Sequence, residues 1–200
     1  SSDLCELQEK CCEIKCKTLD CEDLEMVLLL SNLAVIYNNL GKYQKEFELH
    51  EKCYKIRCEI LGEGHPDTLK SLNGLACSYK NLGYYQKAFE LQKKSYEISC
   101  RVLGKEHIDT ILSMNNLAHA YCVLGCYKDA FRLQDIGYII SCRVLGEKHI
   151  YTLALLRGLV VSCAVLGNYE KSQKLQKKCY RISCKVLGKE HPYTLCSMEN

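Results

Sequence analysis

Residues 115–131 read NNLAHAYCVLGCYKDAF, and close copies of this stretch recur along the chain. Upstream they read NGLACSYKNLGYYQKAF from Asn73 and SNLAVIYNNLGKYQKEF from Ser31, while downstream a more worn copy, RGLVVSCAVLGNYEKSQ, begins at Arg157. The starts at 31, 73, 115 and 157 are a constant 42 residues apart. The connections keep the same register, with Leu61-Gly62, Leu103-Gly104, Leu145-Gly146 and Leu187-Gly188 followed by His65, His107, His149 and His191. A fixed period of this length marks a stacked array in which each unit buries its apolar face against its neighbours. The 200 residues are therefore read as one domain.

Each period divides into two helices. Leu29, Leu30, Leu33, Ala34 and Tyr37 fall at helical spacing within a first helix over residues 22–40. Gly41 ends it as a left-handed residue just past the last turn. A second helix follows from about Tyr43 to Ile60, and Gly62 closes it. In the next unit GHPDT places Pro66 at the first helical position, where its missing N–H and fixed φ are harmless; that helix is expected to reach Leu82, with its partner over 85–102. Residues 3–18 read as one more second helix, with Asp3 as N-cap and Glu6 completing a capping box. The organisation is then a partial unit at 1–20, full units at 22–62, 65–104, 107–146 and 149–188, and a partial unit at 191–200. Both ends cut across the repeat, which suggests a piece of a longer array.

Small residues set how close the helices come. Ala34, Ala76 and Ala118 in first helices, and Ala88 and Ala130 in second helices, stand where a large side chain would hold the pair apart. Tyr37, Tyr79 and Tyr121 fill the space beside them. The expected fold is all-α, a right-handed α-solenoid of stacked antiparallel helix pairs with one concave wall. Departures from the pattern are Glu46, where the next unit has Ala88, and Arg157, Gly158, Val160, Cys163, Ser172 and Gln173 in the fourth unit. That unit is expected to pack worst.

With NLA, Tyr, LG, Tyr and Ala at these offsets, the unit resembles the tetratricopeptide repeat, and the LGxxHPDT connection is similar to that of the 42-residue variant found in kinesin light chains. The resemblance implies a scaffold that binds a protein partner, usually as an extended peptide along the wall lined by the first helices. By position, it places Ser31, Asn32, Val35, Asn38 and Asn39 of the first unit on that wall, then Lys70, Asn73, Cys77, Lys80 and Asn81 of the second. The third contributes Leu112, Asn115, Asn116, His119 and Cys122, and the fourth Arg157, Val161 and Ala164. In similar arrays an asparagine just before LA holds the peptide backbone. Here it is present as Asn32 and Asn116, whereas Gly74 and Gly158 stand in the alternate units. One amide offers an acceptor and two donors, which suits a peptide backbone of any sequence. Solvating an exposed helix face is the other role open to these asparagines. A spacer or regulatory segment within a larger multidomain protein is the alternative function.

Composition excludes several classes. The chain has 27 Lys and Arg against 24 Asp and Glu, too even a balance to point to nucleic acid or a membrane surface. Lys70, Lys80 and Arg157 are too sparse to neutralise a phosphate backbone. No apolar run approaches the ~18 residues of a membrane span, and no signal segment opens the sequence. There is no Gly-rich phosphate loop, nucleophile elbow or paired-carboxylate signature, so no enzyme is expected. His119, Cys122 and Cys126 have a spacing that could bring zinc ligands to one face, but Gly125 should end the helix before Cys126 and no fourth ligand is evident. No cofactor and no metal are expected.

The 16 cysteines would suggest disulfides in a small secreted domain, but the core here is periodic throughout. Cys16, Cys58, Cys100, Cys142 and Cys184 share one repeat position, as residues copied with the unit would. Reduced thiols packing as small hydrophobes, in a cytoplasmic protein, are the expectation. Alkylation under denaturing, non-reducing conditions followed by intact mass should show all 16 modified; several protected pairs would overturn the reduced-thiol reading.

Overall fold

The computed structural model describes residues 24–191 together with Leu7, Lys10, Ile14 and Thr194. The helix expected over residues 3–18 and the helix expected to open after His191 fall largely outside the described residues. Within 24–191 run eight helices and no strand: α1 (Leu24–Asn39), α2 (Tyr43–Leu61), α3 (Pro66–Asn81), α4 (Tyr85–Val102), α5 (Ile108–Val123), α6 (Tyr127–Val144), α7 (Ile150–Val165) and α8 (Tyr169–Val186). First and second helices alternate at the period read from the sequence, with ends within about two residues of those expected. The chain divides into two compact units, residues 1–98 and 99–200.

In the first unit α1 packs on α2, and α2 on α3. Met26, Val27 and Leu30 of α1 meet Cys53 and Ile56 of α2 in one buried cluster, while Leu33 and Tyr37 form a second against Leu49. In the second unit each helix packs on the next from α5 to α8, and α5 also lies beside α7. Ile111, Met114 and Leu117 supply the core from α5, and Leu153, Leu155, Leu156 and Leu159 from α7. The alanines expected at the close approaches, Ala34, Ala76, Ala88, Ala118 and Ala130, are all buried. Tyr37 is buried beside them, whereas Tyr79 and Tyr121 are half-buried.

The connections are held by the residues that recur in them. His65 Nδ1 accepts from the Asp67 N–H at 3.2 Å, and His107 and His149 cap α5 and α7 in the same way through the N–H groups of Asp109 and Tyr151. Each thereby satisfies one of the orphan donors at a helix start. Pro66 takes the first position of α3. The recurrent threonine completes the join: Thr68 donates to the Arg57 carbonyl at 3.2 Å, Thr110 to Ser99 at 3.3 Å and Thr152 to Gly146 at 2.9 Å. Each hydroxyl ties the start of a first helix to the end of the helix or turn before it. Between paired helices Gly41 has φ +70°, and the Lys42 N–H returns to the Tyr37 carbonyl at 2.9 Å, which turns the chain sharply.

The fourth unit absorbs its departures. Leu153, Leu155, Leu156, Leu159 and Cys163 are as deeply buried as their counterparts in earlier units, so the expected poorer packing is not seen in burial. Ser172, where Ala88 and Ala130 stand earlier, donates to the Val160 carbonyl at 2.9 Å and so satisfies its own buried hydroxyl.

Exposed ion pairs reach from second helices to earlier connections. Lys94 pairs with Glu63 at 2.9 Å and lies 3.5 Å from the Tyr54 hydroxyl. Two repeats later Lys178 pairs with Glu147 at 2.6 Å and sits over the Tyr138 ring. At the intermediate position the equivalents are Lys105 and Ile136, and Arg143 pairs with Glu106 instead.

The described cysteines, ten in all, are free thiols; Cys5, Cys11, Cys12, Cys16, Cys21 and Cys196 lie outside the described residues. No helix among the described residues is long and apolar enough to cross a membrane. Ala118 has no exposed surface at the α5 close approach. Ala118→Leu should therefore overpack the pair and cost about 1–3 kcal/mol in denaturant unfolding. An unchanged midpoint would show that the helix register is misassigned.

Candidate functional site

Each first helix buries one face in the core and leaves the opposite face outward, so residues spaced at one turn along it form a stripe. On α1 that stripe holds Asn32, Val35 and Asn39, all exposed. On α3 Lys70 is exposed, Asn73 and Lys80 are half-buried, and Asn81 closes the helix. On α5 Asn115 and Asn116 are half-buried and His119 is exposed, while Arg157 is half-buried at the position of α7 equivalent to Asn115. Because α5 and α7 lie side by side, these four residues belong to one wall of the second unit.

The hydrogen bonds sort these candidates. The side-chain amides of Asn32, Asn39, Asn115 and Asn116 are engaged by no bond among the described residues. Lys70 is held by Asp67 at 2.9 Å, an exposed pair at helical i, i+3 spacing. Asn73 has its side-chain Oδ1 out of water without a hydrogen-bond partner among the described residues. Ser31 and Cys122, placed on the wall by position, turn instead toward second helices. The Ser31 hydroxyl donates to the Val27 carbonyl at 2.7 Å beside Cys53, and Cys122 lies 3.8 Å from both Ser162 and Gln134.

Asn81 is committed to Glu46. Its Nδ2 donates to the two carboxylate oxygens at 3.4 and 3.2 Å, and Glu46 is only 2% exposed. The sequence shows glutamate here where Ala88 and Ala130 stand in other units, and the structure shows its consequence: a carboxylate among packed helices, which draws the last wall asparagine of α3 inward. His50, one turn further along α2, places Nε2 4.0 Å from the same carboxylate. Burial pushes the His50 imidazole below the ordinary histidine range, with Glu46 opposing the shift. Sequence reasoning marked Glu46 as a departure but missed His50, whose only signal was that Gln92, Gln134 and Gln176 occupy its position elsewhere.

The two wall glycines are sites of close approach. A Cβ on Gly74 would lie 2.7 Å from His50 Nδ1, and one on Gly158 would overlap Gln134 Nε2. Where the asparagine is missing from a first helix, a polar side chain from the preceding second helix takes the space. Gln134 is fully occupied there: its Oε1 accepts from the Ser162 hydroxyl at 2.7 Å, and it is 3% exposed. Among the described residues no group of three His, Cys, Asp or Glu side chains is placed to hold a metal ion, and Cys126 stands at the residue before α6, beyond the end of α5, with no side-chain cap bond.

Two family models, both described as tetratricopeptide repeat, match the sequence, one over residues 25–101 and the other over 110–151 and 152–193. Among solved structures, a putative kinesin light chain with nearly identical TPR-like repeats, from Podosopora anserina, is 28% identical with a TM-score of 0.76, over 93% of this chain and 88% of that one. BtubC from P. vanneervenii is 20% identical with a TM-score of 0.75, over 94% and 74%. PlcR of Bacillus thuringiensis, in complex with the peptide PapR7 and DNA, is 16% identical with a TM-score of 0.62, over 99% and 75%. The last two are likenesses of fold alone. No curated protein matches the sequence.

The Asn81–Glu46 bond makes a coupled pair. Asn81→Ala should cost about 1–3 kcal/mol by stripping the buried carboxylate of its hydrogen-bond donor. In a Glu46→Ala background the same change should cost much less, a coupling that denaturant melts of all four proteins measure. Additive losses would show that the contact contributes nothing.

Proposed function

Because the chain belongs to the tetratricopeptide repeat family, we propose that it is a protein–protein interaction scaffold whose first helices take an extended segment of a partner protein. The observation that carries this reading is the set of outward asparagine amides, Asn32, Asn39, Asn115 and Asn116, which the packing of the repeats does not use. Asn32, Asn115 and Asn116 lie within their helices, where asparagine is a poorer helix former than alanine, so their presence there without a hydrogen bond among the described residues fits a role outside the fold. An amide that both donates and accepts can follow a peptide backbone regardless of sequence.

The fold neighbour PlcR was solved in complex with the peptide PapR7 and DNA, and its complex with a peptide is in keeping with this reading. In this reading the chain acts by binding rather than by catalysis, in the cytoplasm, and its partner is a protein rather than nucleic acid. Its basic wall residues are few, and Lys70 is already neutralised by Asp67. The contribution of the wall is therefore hydrogen bonding and shape, with little net charge.

The test uses a peptide selected from a random displayed library on the intact chain, then synthesised and titrated. Asn116→Ala should leave the thermal midpoint level or slightly raised. It should weaken the peptide by roughly five- to hundredfold, the equivalent of losing one hydrogen bond and stranding its partner at about 1–3 kcal/mol. Unchanged affinity in Asn32→Ala and Asn116→Ala, with loss on substituting outward residues of the second helices, would move the binding face away from the first helices.

A further inference from the structure

We propose that His50 is a partner-binding residue of the first unit, standing in from behind for the asparagine that Gly74 lacks and offering Nδ1 as an acceptor to a backbone N–H of the bound peptide. This rests on the peptide-binding reading above and names one contact within it. The position is set by geometry. Gly74 occupies the repeat position of Asn32 and Asn116, and the volume its side chain would fill is taken by the His50 ring, with Nδ1 2.7 Å and Cε1 2.8 Å from the place of the missing Cβ. The His50 side chain is 15% exposed, so part of it reaches the surface.

Its hydrogen-bonding sense follows from what lies behind it. Nε2 faces the Glu46 carboxylate at 4.0 Å, and a negative charge on that side favours the tautomer with its proton on Nε2. The Nδ1 lone pair is then the free acceptor. Besides Glu46 no hydrogen bond or ion pair among the described residues engages His50. The ionisable group that acts on it is Glu46 on its own helix; on α3, Cys77 feels the same Glu46 charge and that of Lys80. Burial keeps the imidazole neutral at pH 7, the state in which Nδ1 can accept.

The second unit provides the contrast. Gln134 lies two repeats beyond His50 and fills the gap over Gly158, but its Oε1 accepts from Ser162, its Nε2 donates to Cys122 Sγ at 3.8 Å, and it is 3% exposed. Ser78, the equivalent of Ser162, instead donates to the carbonyl of Gly74 within its own helix at 3.2 Å. The exchange of glutamine for histidine thus frees an acceptor in one unit that the other unit buries. His50→Gln should rebuild the inward bond with Ser78 and withdraw the contact without harming the fold.

The experiment titrates a library-selected peptide whose binding Asn32→Ala weakens, which places it on the first unit's wall. His50→Gln should melt with the parent and bind roughly five- to tenfold more weakly, the loss of one hydrogen bond. Gly74→Asn in a His50→Ala background, which removes the clash and restores the asparagine, should bind within about twofold of the parent. Parent affinity should fall as the pH drops below the usual histidine range, because protonation turns Nδ1 from acceptor to donor, whereas His50→Gln should stay flat. Equal affinity of His50→Gln and the parent, or matching pH profiles, would overturn the role of His50 while leaving the wall reading intact. If no selected peptide responds to Asn32→Ala or Asn116→Ala, the wall reading falls and this contact falls with it.

Discussion

Burial between neighbouring helices is the constraint on which the rest of the chain depends. A single pair here has an apolar stripe too wide to hide within itself, so a second helix covers the first helices on both sides of it, as α2 does for α1 and α3 and α6 for α5 and α7. That demand fixes the alanines at the close approaches, where Ala34 and Ala118 have no exposed surface. It also fixes the joints, because a first helix can meet the preceding one only if its start is held in place. His65 with Thr68, His107 with Thr110 and His149 with Thr152 supply that hold with one side-chain acceptor and one side-chain donor each. The outward faces of the first helices are what this arrangement leaves over, so the surface available for a partner is a by-product of how the core is shared.

The fold was legible because its signals repeat. One stretch with Pro66, Gly41 or Ala118 would be a weak indication; the same residue types at one fixed interval leave a single consistent register. The stripe of wall residues was legible for the same reason, being the complement of the core positions. The state of each wall residue was not. Asn81 looks like Asn39 in sequence, and only the fold brings Glu46 within reach of its amide. Ser31 and Cys122 sit at wall positions yet turn to second helices, since a short side chain beside a crevice finds a partner there that no spacing rule records. The poor packing expected of the fourth unit failed likewise, because Ser172 satisfies its hydroxyl on the Val160 carbonyl.

The wall is also less uniform than its repeat suggests. Where a first helix carries asparagine, the floor is made by that helix; where it carries glycine, the second helix behind it supplies the side chain, as His50 and Gln134 do. Glycine at such a position is a vacancy that another helix fills, so the loss of a signature residue changes which element faces the partner and does not leave a hole. A mostly buried imidazole, backed by a buried carboxylate, then lies under a surface that elsewhere offers amides. Two walls built on one scaffold can differ in hydrogen-bonding sense without any change of backbone.

The ion pairs between second helices and earlier connections have a consequence of a different kind. Glu63 with Lys94 and Glu147 with Lys178 are the same pair two repeats apart, each beside a tyrosine, while Lys105 and Ile136 stand between them. Loss of one repeat from the gene would set Glu63 against Ile136, whereas loss of two would set it against Lys178. Such surface pairs stabilise by only about 0.2–1 kcal/mol, but they carry parity. This one pair would therefore survive a change of length by two repeats and not a change by one.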